Sequence, residues 1–439
     1  MAAGLSAAEF KPLVNLEARG GYAATEGSTS SGLGQVDFSA VPALQFGRRT
    51  WLPTVYFNAG GQERPIEEGT TFVRTASAGF KPSLVTDLGD GWGTEARVQA
   101  LRNWNIESLG ENWGTGIYDY DQYGAGAGLT LPKSLTGFGL VLGVDLAHRN
   151  YPNYHNIAAA AALTDNKNYY VKDFYSVAAK VTALFDWHQL CISYSPELRS
   201  YTDSYVVVLG GTTDLSKPQQ DVLHAIDATC GFSLSPKLGL MLSLNGSFND
   251  SNQASFDSAS LTYIPNFQNY ASETLSLTLP WALDGLWDGL QIIPAYSINL
   301  RQTQKPVQDS SGAYLSDKQA DTEHDFSLNM SKTLNWGIAW VTGGSYRSVS
   351  SNQQLVRGTL NSYNYWQATT GLAYAWEGKG SKFNESAGEP QAVAAPKAEP
   401  GFESIPAASD EQLAMERLKR LQATAAAAAA KSTSSTAKP

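Results

Sequence analysis

The stretch GFGLVLGVDLAHRN (137–150) alternates between two kinds of residue. Its even positions, from Phe138 to Leu146, are large and apolar, whereas its odd positions are small or charged, as at Gly143 and Asp145. A period of two residues is that of a β-strand, in which successive side chains point to opposite faces. The stretch therefore predicts a strand with one apolar face and one polar face.

The composition indicates a β-rich chain with an unusual surface. Its 439 residues include 40 glycines, 21 tyrosines and 11 tryptophans, and only 16% of them are charged, against roughly 25% in soluble domains. No run of the sequence approaches the ~18 consecutive apolar residues that a transmembrane helix requires. The sequence therefore excludes a helical membrane protein.

Charge and cysteine content exclude further classes. The net charge of −10 has the wrong sign for a protein that neutralises nucleic-acid phosphates. The two cysteines, Cys191 and Cys230, are too few for a disulfide scaffold or a cysteine-rich metal site, although one bridge stays open. The start MAAGLSAAEF lacks the features of a signal peptide. The chain is thus expected to be either cytoplasmic or a mature form whose leader was removed.

The alternation recurs from about Lys11 to Trp376 and predicts an all-β fold of sixteen strands. Most of these strands are long enough to cross a membrane at a tilt. The predicted strands span residues 11–23, 36–47, 51–61, 71–87, 92–105, 119–131, 137–150, 173–186, 188–201, 220–234, 238–249, 268–280, 289–302, 324–334, 337–348 and 363–376.

The connections between these strands alternate in length. The short ones are 48–50, 89–91, 132–136, 187, 235–237, 281–288 and 335–336. The long ones, which are rich in Asn, Ser, Gly, Asp and Gln, are 24–35, 62–70, 106–118, 151–172, 201–219, 250–267, 304–323 and 349–362. Short turns at one end and long loops at the other are typical of transmembrane β-barrels. We therefore expect a sixteen-stranded antiparallel transmembrane β-barrel over residues 11–376.

Tryptophan placement favours the same architecture. Indole rings pair an apolar body with a polar tip, and they are stable where lipid meets water. Seven of the eleven tryptophans lie at or beside the short connections or the end of the last strand, and they predict an aromatic girdle at one rim: Trp51, Trp92, Trp187, Trp281, Trp287, Trp336 and Trp376.

The last strand, YNYWQATTGLAYAW (363–376), ends in a glycine, two residues, an aromatic, one residue and a final aromatic, at Gly371, Tyr374 and Trp376. This pattern resembles the terminal-strand signal of bacterial outer-membrane β-barrels. The resemblance covers most of the chain and implies a porin-like protein that the barrel-insertion machinery places in the outer membrane. It departs from the family in one respect, because about sixty residues follow the signal here.

In such a barrel the small and polar faces would line the lumen, where water keeps charges solvated. Barrels of about this strand number leave an aqueous channel. Because both signs are mixed, the lining predicts weak selectivity. Three pairs at i and i+2 are expected to form simple salt bridges: Glu17/Arg19, Glu95/Arg97 and Glu197/Arg199. The predicted pore-lining residues are Glu17, Arg19, Asp37, Lys81, Glu95, Arg97, Asp145, Arg149, Lys180, Glu197, Arg199, Asp221, Asp227 and Arg301.

Two segments outside the strands raise alternatives. The loop 151–172 contains the apolar run NIAAAAALTD, which either folds inward to narrow the pore, packs against neighbouring loops or contacts another subunit.

Beyond the barrel, the Ala/Pro/Lys/Glu-rich tail 377–439 is expected to be mostly disordered, with a helix over about 409–430 that follows a capping-box pattern. This helix either docks on a partner, plugs the pore mouth or stays solvated.

The sequence thus predicts an outer-membrane channel for passive diffusion of small polar solutes, with both termini in the periplasm, including a short segment 1–10. The alternative is an accessory barrel whose tail binds a periplasmic protein or the cell wall, such as the outer port of a secretion or polysaccharide-export system. Exporters of that kind can have a helical-repeat region before the barrel. No such repeat precedes Lys11 here, which counts against the alternative unless the helices lie on a separate chain.

An enzyme is not expected. The histidines are scattered along the chain, at His148, His155, His188, His224 and His324, and His148 and His224 have lipid-facing parity. No nucleophile elbow, phosphate loop or clustered ligand set is visible. The sequence therefore predicts no cofactor, no metal site and no nucleic-acid partner, and it leaves the lipid bilayer as the main partner.

Overall fold

Strands make up most of the chain in the computed structural model. The structure describes residues 9–26, 31–66, 69–106, 112–116, 118–153, 172–257, 260–283, 289–334, 336–355 and 361–377. Its strands are β1 Glu9–Thr25, β2 Ser31–Phe46, β3 Arg49–Ile66, β4 Gly69–Gly89, β5 Trp92–Ile106, β6 Tyr120–Leu131, β7 Gly139–Asn150, β8 Phe174–Leu184, β9 Cys191–Val207, β10 Thr213–Ser235, β11 Leu238–Ser251, β12 Ser255–Asp257, β13 Thr262–Ile264, β14 Tyr270–Thr278, β15 Trp281–Ala282, β16 Leu290–Gln308, β17 Tyr314–Thr333, β18 Ile338–Ser351 and β19 Tyr363–Glu377.

The strands form one closed antiparallel sheet. Each barrel strand pairs with its neighbour in the chain, and β1 also pairs with β19, from Leu13 opposite Glu377 to Thr25 opposite Tyr365. Three elements do not add a barrel strand: β12 and β13 pair only with each other, and β15 pairs with β11 and β16 as a continuation of β14. The result is a barrel of sixteen strands, which confirms the predicted fold class.

Every predicted strand has a counterpart in the structure, and the main differences lie at the end of the barrel with the long connections. Three of the predicted long loops, 62–70, 201–219 and 304–323, are wrong in length. Strand β3 extends to Ile66 and β4 begins at Gly69. Strands β9 and β10 continue to a connection of residues 208–212, and β16 and β17 continue to one of residues 309–313. Register shifts at Pro218 and Pro306 mark the change from barrel to extended hairpin, since proline cannot donate to a strand ladder.

The connection between β11 and β14 contacts both extended hairpins through polar side chains. The amide of Gln253 donates to the backbone oxygen of Tyr205 at 3.0 Å, and its side-chain oxygen accepts from the nitrogen of Val207 at 3.0 Å. The Tyr314 hydroxyl donates to Asp257 in β12 at 2.9 Å. At the tip of β16 and β17, the Ser311 hydroxyl donates to Asp309 at 2.6 Å, and this bond lowers the pKa of that carboxyl.

The connections at the other end, the short-turn end, are tight turns. Asp90 and Gly91, and likewise Trp336 and Gly337, all have positive φ, between 54° and 83°. Turns with two such residues match the twist of paired strands and favour Gly or Asp. The connection between β6 and β7 contains the single-turn helix α1, Lys133–Thr136. Among the described residues, no helix is long and apolar enough to cross a membrane.

The two cysteines are free thiols. Cys191 in β9 pairs in register with Thr229, so it lies on the opposite face of the sheet from the adjacent Cys230 in β10. The bridge that the sequence left open therefore does not form in this fold.

The closure between β1 and β19 depends on glycine at position 371. A Cβ atom on Gly371 would lie 1.9 Å from the backbone oxygen of Ala18 and 2.7 Å from the Cα of Arg19. No real Cβ tolerates such a distance from rigid backbone. The last strand thus lies so close to the first that only glycine fits at position 371, the glycine of the predicted terminal-strand signal.

We predict that Gly371→Ala weakens barrel closure by about 1–3 kcal/mol, because the added methyl forces β1 and β19 apart. The measurement is the temperature at which the full chain loses compact migration on an unboiled gel. The matched control is Gly20→Ala on β1, where a Cβ would meet nothing nearer than 3.9 Å. Equal melting temperatures for the two variants would contradict the role of Gly371.

Candidate pore lining

Each barrel strand carries large exposed side chains at alternate positions. They form one continuous face that includes Leu16, Val98, Tyr123, Leu146, Leu198, Leu244, Leu300, Phe326 and Leu372. The residues between them are mostly small or polar and less exposed, as Glu17, Arg97 and Asp145 are. We call these the apolar face and the polar face.

The apolar face is the outer one. Side chains diverge on the convex side of a barrel and stay exposed, as Leu146 does at 54%, whereas they converge on the concave side. The polar face shows this convergence, because Arg97 of β5 reaches Asp145 of β7 across β6. A closed barrel with an apolar exterior and a polar interior is the arrangement of a transmembrane β-barrel.

All fourteen residues that the sequence predicts to line the pore lie on the polar face. Their register partners place them there: Glu17 opposes Asp37, Lys81 opposes Thr54, and Lys180 opposes Gly143. The same pairing aligns Arg199 with Asp221 and Asp227 with Ser193. Contact with a permeating solute remains a prediction for each of them.

The structure brings three of these residues into one cluster on the wall. The Arg97 guanidinium binds Asp145 through two atoms, with Nε to Oδ1 at 2.8 Å and Nη2 to Oδ2 at 2.6 Å. Its Nη1 donates to Glu95 Oε2 at 3.1 Å. A bidentate guanidinium–carboxylate pair fixes both side chains in one geometry. The cluster therefore holds Arg97 flat against the wall.

A glycine on the intervening strand makes this cluster possible. Gly126 of β6 is in register with Arg97 on one side and Asp145 on the other. A Cβ atom there would lie 2.1 Å from Asp145 Oδ1 and 2.9 Å from Arg97 Nε. The salt bridge thus occupies the space that a side chain at position 126 would fill.

The other predicted salt bridges also form. Arg19 binds Glu17, and Arg199 Nη2 binds Glu197 Oε2 at 2.9 Å. By contrast, Lys81 and Lys180 have no carboxylate within salt-bridge distance in the part of the chain that the structure describes. The lining therefore combines neutralised pairs with a few separate charges.

Sequence reasoning missed one further cluster on the polar face. Arg347 of β18 binds Glu323 and Asp325 of β17, with Nε to oxygen distances of 3.0 and 3.1 Å. The signal was present in the segment TEHDF, where the two carboxylates are two residues apart. Only the pairing of β17 with β18 shows that Arg347 lies opposite Asp325.

Nearer the long-connection end, arginines of the polar face stack on aromatic rings. The Arg149 guanidinium lies 4.5 Å from the Tyr120 ring and 5.2 Å from the Phe174 ring, and Arg199 lies 5.1 Å from Phe174. Phe174 is buried in a cluster with Tyr118 and Tyr151. These contacts fix the strand ends that flank the predicted loop 151–172. Residues 154–171 lie outside the described ones, so inward folding, packing on other loops and subunit contact all stay predictions for it.

Six of the seven girdle tryptophans are among the described residues, and Trp287 lies outside them. Five of these six are exposed, most of all Trp336 at 88%, and Trp51 is partly buried. On β19, Tyr374 and Trp376 share the apolar face. These positions place the aromatic side chains around the short-turn end of the barrel, and their contact with a lipid boundary stays a prediction.

Comparisons with known proteins give no family. No protein-family model matches the chain, and no curated protein matches it in sequence. Among solved structures, it is similar to a bacterial polysaccharide outer membrane secretin at 10% identity and a TM-score of 0.42, covering 83% of this chain and 98% of that one.

Two further solved structures are similar to this chain at the same level. The outer membrane protein OpdK from Pseudomonas aeruginosa has 10% identity and a TM-score of 0.40, covering 83% of this chain and 99% of that one. OccAB1 from Acinetobacter baumannii has 11% identity and a TM-score of 0.41, covering 84% and 97%. Likenesses at this level transfer neither a function nor a residue role, and the barrel is established by its strand pairing.

We predict that Gly126→Ala lowers the free energy of unfolding by about 1–3 kcal/mol, because the methyl displaces the salt bridge and leaves a partly buried guanidinium with poorer partners. Urea unfolding of the full chain in lipid vesicles, followed by tryptophan fluorescence, measures this loss. Gly128→Ala on the same strand is the control, since its Cβ would have no contact under 3.6 Å. An equal loss in both variants would contradict the assignment.

Proposed function

We propose that this protein is a channel of the bacterial outer membrane through which small polar solutes diffuse passively. The observation that carries the proposal is the closed sixteen-stranded barrel with a polar face inside and an apolar face outside. Barrels of this strand number enclose an aqueous passage, whereas eight-stranded ones are filled by side chains. The charged residues of the polar face are then solvated by the water of the lumen.

The charges of the lining support weak selectivity. Most arginines of the polar face are bound to carboxylates along the wall, so they offer little net charge to a passing ion. Rings of one sign, which make a pore strongly selective, are not built by the described residues. We infer that size and polarity, more than charge, decide which solutes pass.

The orientation of the barrel in the membrane follows from the difference in length between the connections at its two ends. An even number of strands puts the start of β1 and the end of β19 at the short-turn end. Short turns face the periplasm in bacterial barrels, so we infer that both termini are periplasmic. The tail 378–439, with its predicted helix, and the accessory role proposed for it lie outside the described residues.

Single-channel recording tests this function. The full chain, inserted into planar bilayers, is expected to show stable conductance steps that persist across voltage. A variant that ends at Glu377 and still migrates compactly on an unboiled gel should show the same steps. Absence of conductance in both would overturn the channel, whereas conductance only after truncation would favour the accessory barrel gated by its tail.

The separate charges of the lining should tune ion preference. We predict that Lys180→Glu shifts the cation-to-anion permeability ratio by about sixteenfold, because two charge units at ~10 Å in water lower a cation's energy by ~0.8 kcal/mol and raise an anion's by the same amount, about fourfold each. Reversal potentials in a salt gradient measure this ratio. The matched control is Lys237→Glu in the short turn between β10 and β11, which should leave the ratio unchanged. Equal shifts would place Lys180 outside the conduction path.

A further inference from the structure

Histidines on the apolar face contact tyrosines of neighbouring strands. His324 Nδ1 of β17 lies 2.9 Å from the hydroxyl of Tyr296 on β16. His224 of β10 makes the same contact with a tyrosine of β9 at 2.7 Å. His148 of β7 stacks on Tyr175 of β8, with ring centroids 4.4 Å apart. A histidine that contacts a tyrosine of the neighbouring strand thus occurs at three places on the apolar face.

Each of these histidines follows an apolar run. On β17 the outward residues Met330, Leu328 and Phe326, counted from the short-turn end, are followed by His324. The same order holds on β7, where Leu146 precedes His148, and on β10. On β17 and β7 no large apolar residue follows the histidine on the outward face, whereas Val222 follows His224 on β10. His324 and His148 therefore lie at the end of the large apolar positions of their strands.

A groove in the outer wall is lined in part by Tyr296, the residue that contacts His324. It has a volume of about 690 Å³. Its floor contains Pro294, Leu328 and Gly344, where the missing side chain of the glycine opens the wall. One register row across four strands bounds it on the side of His324: Tyr296, Phe326, Tyr346 and Trp366. We call this feature the wall groove.

We propose that the wall groove and the neighbouring His324 together bind one phosphorylated lipid, with an acyl chain in the groove and a phosphate of its headgroup at the imidazole. The site rests on the transmembrane position of the barrel and not on conduction through its lumen. Lipid is the medium that surrounds this wall, so the groove is continuous with a surface that lipid already covers. A groove lined almost entirely by apolar atoms suits a hydrocarbon chain and no charged group.

The imidazole supplies the polar end of the site. When the Tyr296 hydroxyl donates to Nδ1, the proton of the neutral ring is on Nε2, which can then donate to a phosphate oxygen. The register partners of His324 are Ile298 and Ser348, neither of which is charged. The outward carboxylate of β14, Glu273, lies two strands away, opposite Leu300. An anionic headgroup therefore meets a hydrogen-bond donor and no adjacent carboxylate.

Native mass spectrometry of the full chain in detergent tests the site with three probes. They are dioleoyl phosphatidic acid, dioleoylglycerol, which has the same chains without phosphate, and glycerol 3-phosphate, which has no chains. We expect one phosphatidic acid to stay bound per chain, dioleoylglycerol to bind more weakly and glycerol 3-phosphate not to bind. Equal affinity for the first two, or tight binding of the third, would overturn the proposal.

Variants separate the two halves of the site. His324→Ala is expected to weaken phosphatidic acid about tenfold and to leave dioleoylglycerol unchanged, since a hydrogen bond to a charged group is lost. Gly344→Leu fills the groove and should weaken both lipids. Its matched control is Gly246→Leu, another outward glycine, on β11, whose Cβ would meet only the Phe248 ring at 3.6 Å.

Two further outcomes would overturn the proposed lipid site. Unchanged lipid affinity in both His324→Ala and Gly344→Leu would show that lipid binds elsewhere on the wall. A dimer that Gly344→Leu abolishes would show instead that a second copy of the chain fills the groove. Compact migration of each variant on an unboiled gel excludes misfolding, and conductance of the variants keeps this test separate from that of the channel.

Discussion

The structure depends on the pairing of its first strand with its last. In lipid no water is present to hydrogen-bond a free strand edge, so a sheet that crosses a membrane must close on itself. Here β1 and β19 are in register from Leu13 to Thr25, and glycine at 371 lets the two backbones approach. Closure in turn fixes which face of every strand points inward, because one continuous ladder links all sixteen staves.

Closure also explains why the charges lie where they do. The inner face keeps its charged groups near water and near each other, and Arg97, Asp145 and Glu95 use this proximity to form one bound cluster. The outer face has polar groups mainly at its ends, as the tryptophans of the short-turn end and His324 show. One alternating sequence thus gives each strand a polar inner face and an apolar outer face. The position of a polar residue along its strand therefore says as much about its surroundings as the face on which it lies.

The strands could be read from the sequence because alternation is a local property, visible within a dozen residues such as 137–150. The extended hairpins at 201–219 and 304–323 could not, because polar side chains such as Ser204 and Gln219 occupy buried positions there, so that the apolar alternation disappears. The face of each charged residue followed from parity, but its partner did not. Arg97 finds Asp145 two strands away and Arg347 finds Asp325 on the next strand, and both contacts depend on register, which no single segment encodes.

Gly126 has a consequence for assembly of the barrel. The salt bridge between Arg97 and Asp145 forms only when β6 places a glycine between them, as it does in the observed register. A slip of β6 by one residue would put Ala125 or Ala127 on the inner face and their methyl groups against the two charged side chains. The cluster therefore stabilises the correct alignment of three strands relative to the nearest misalignments.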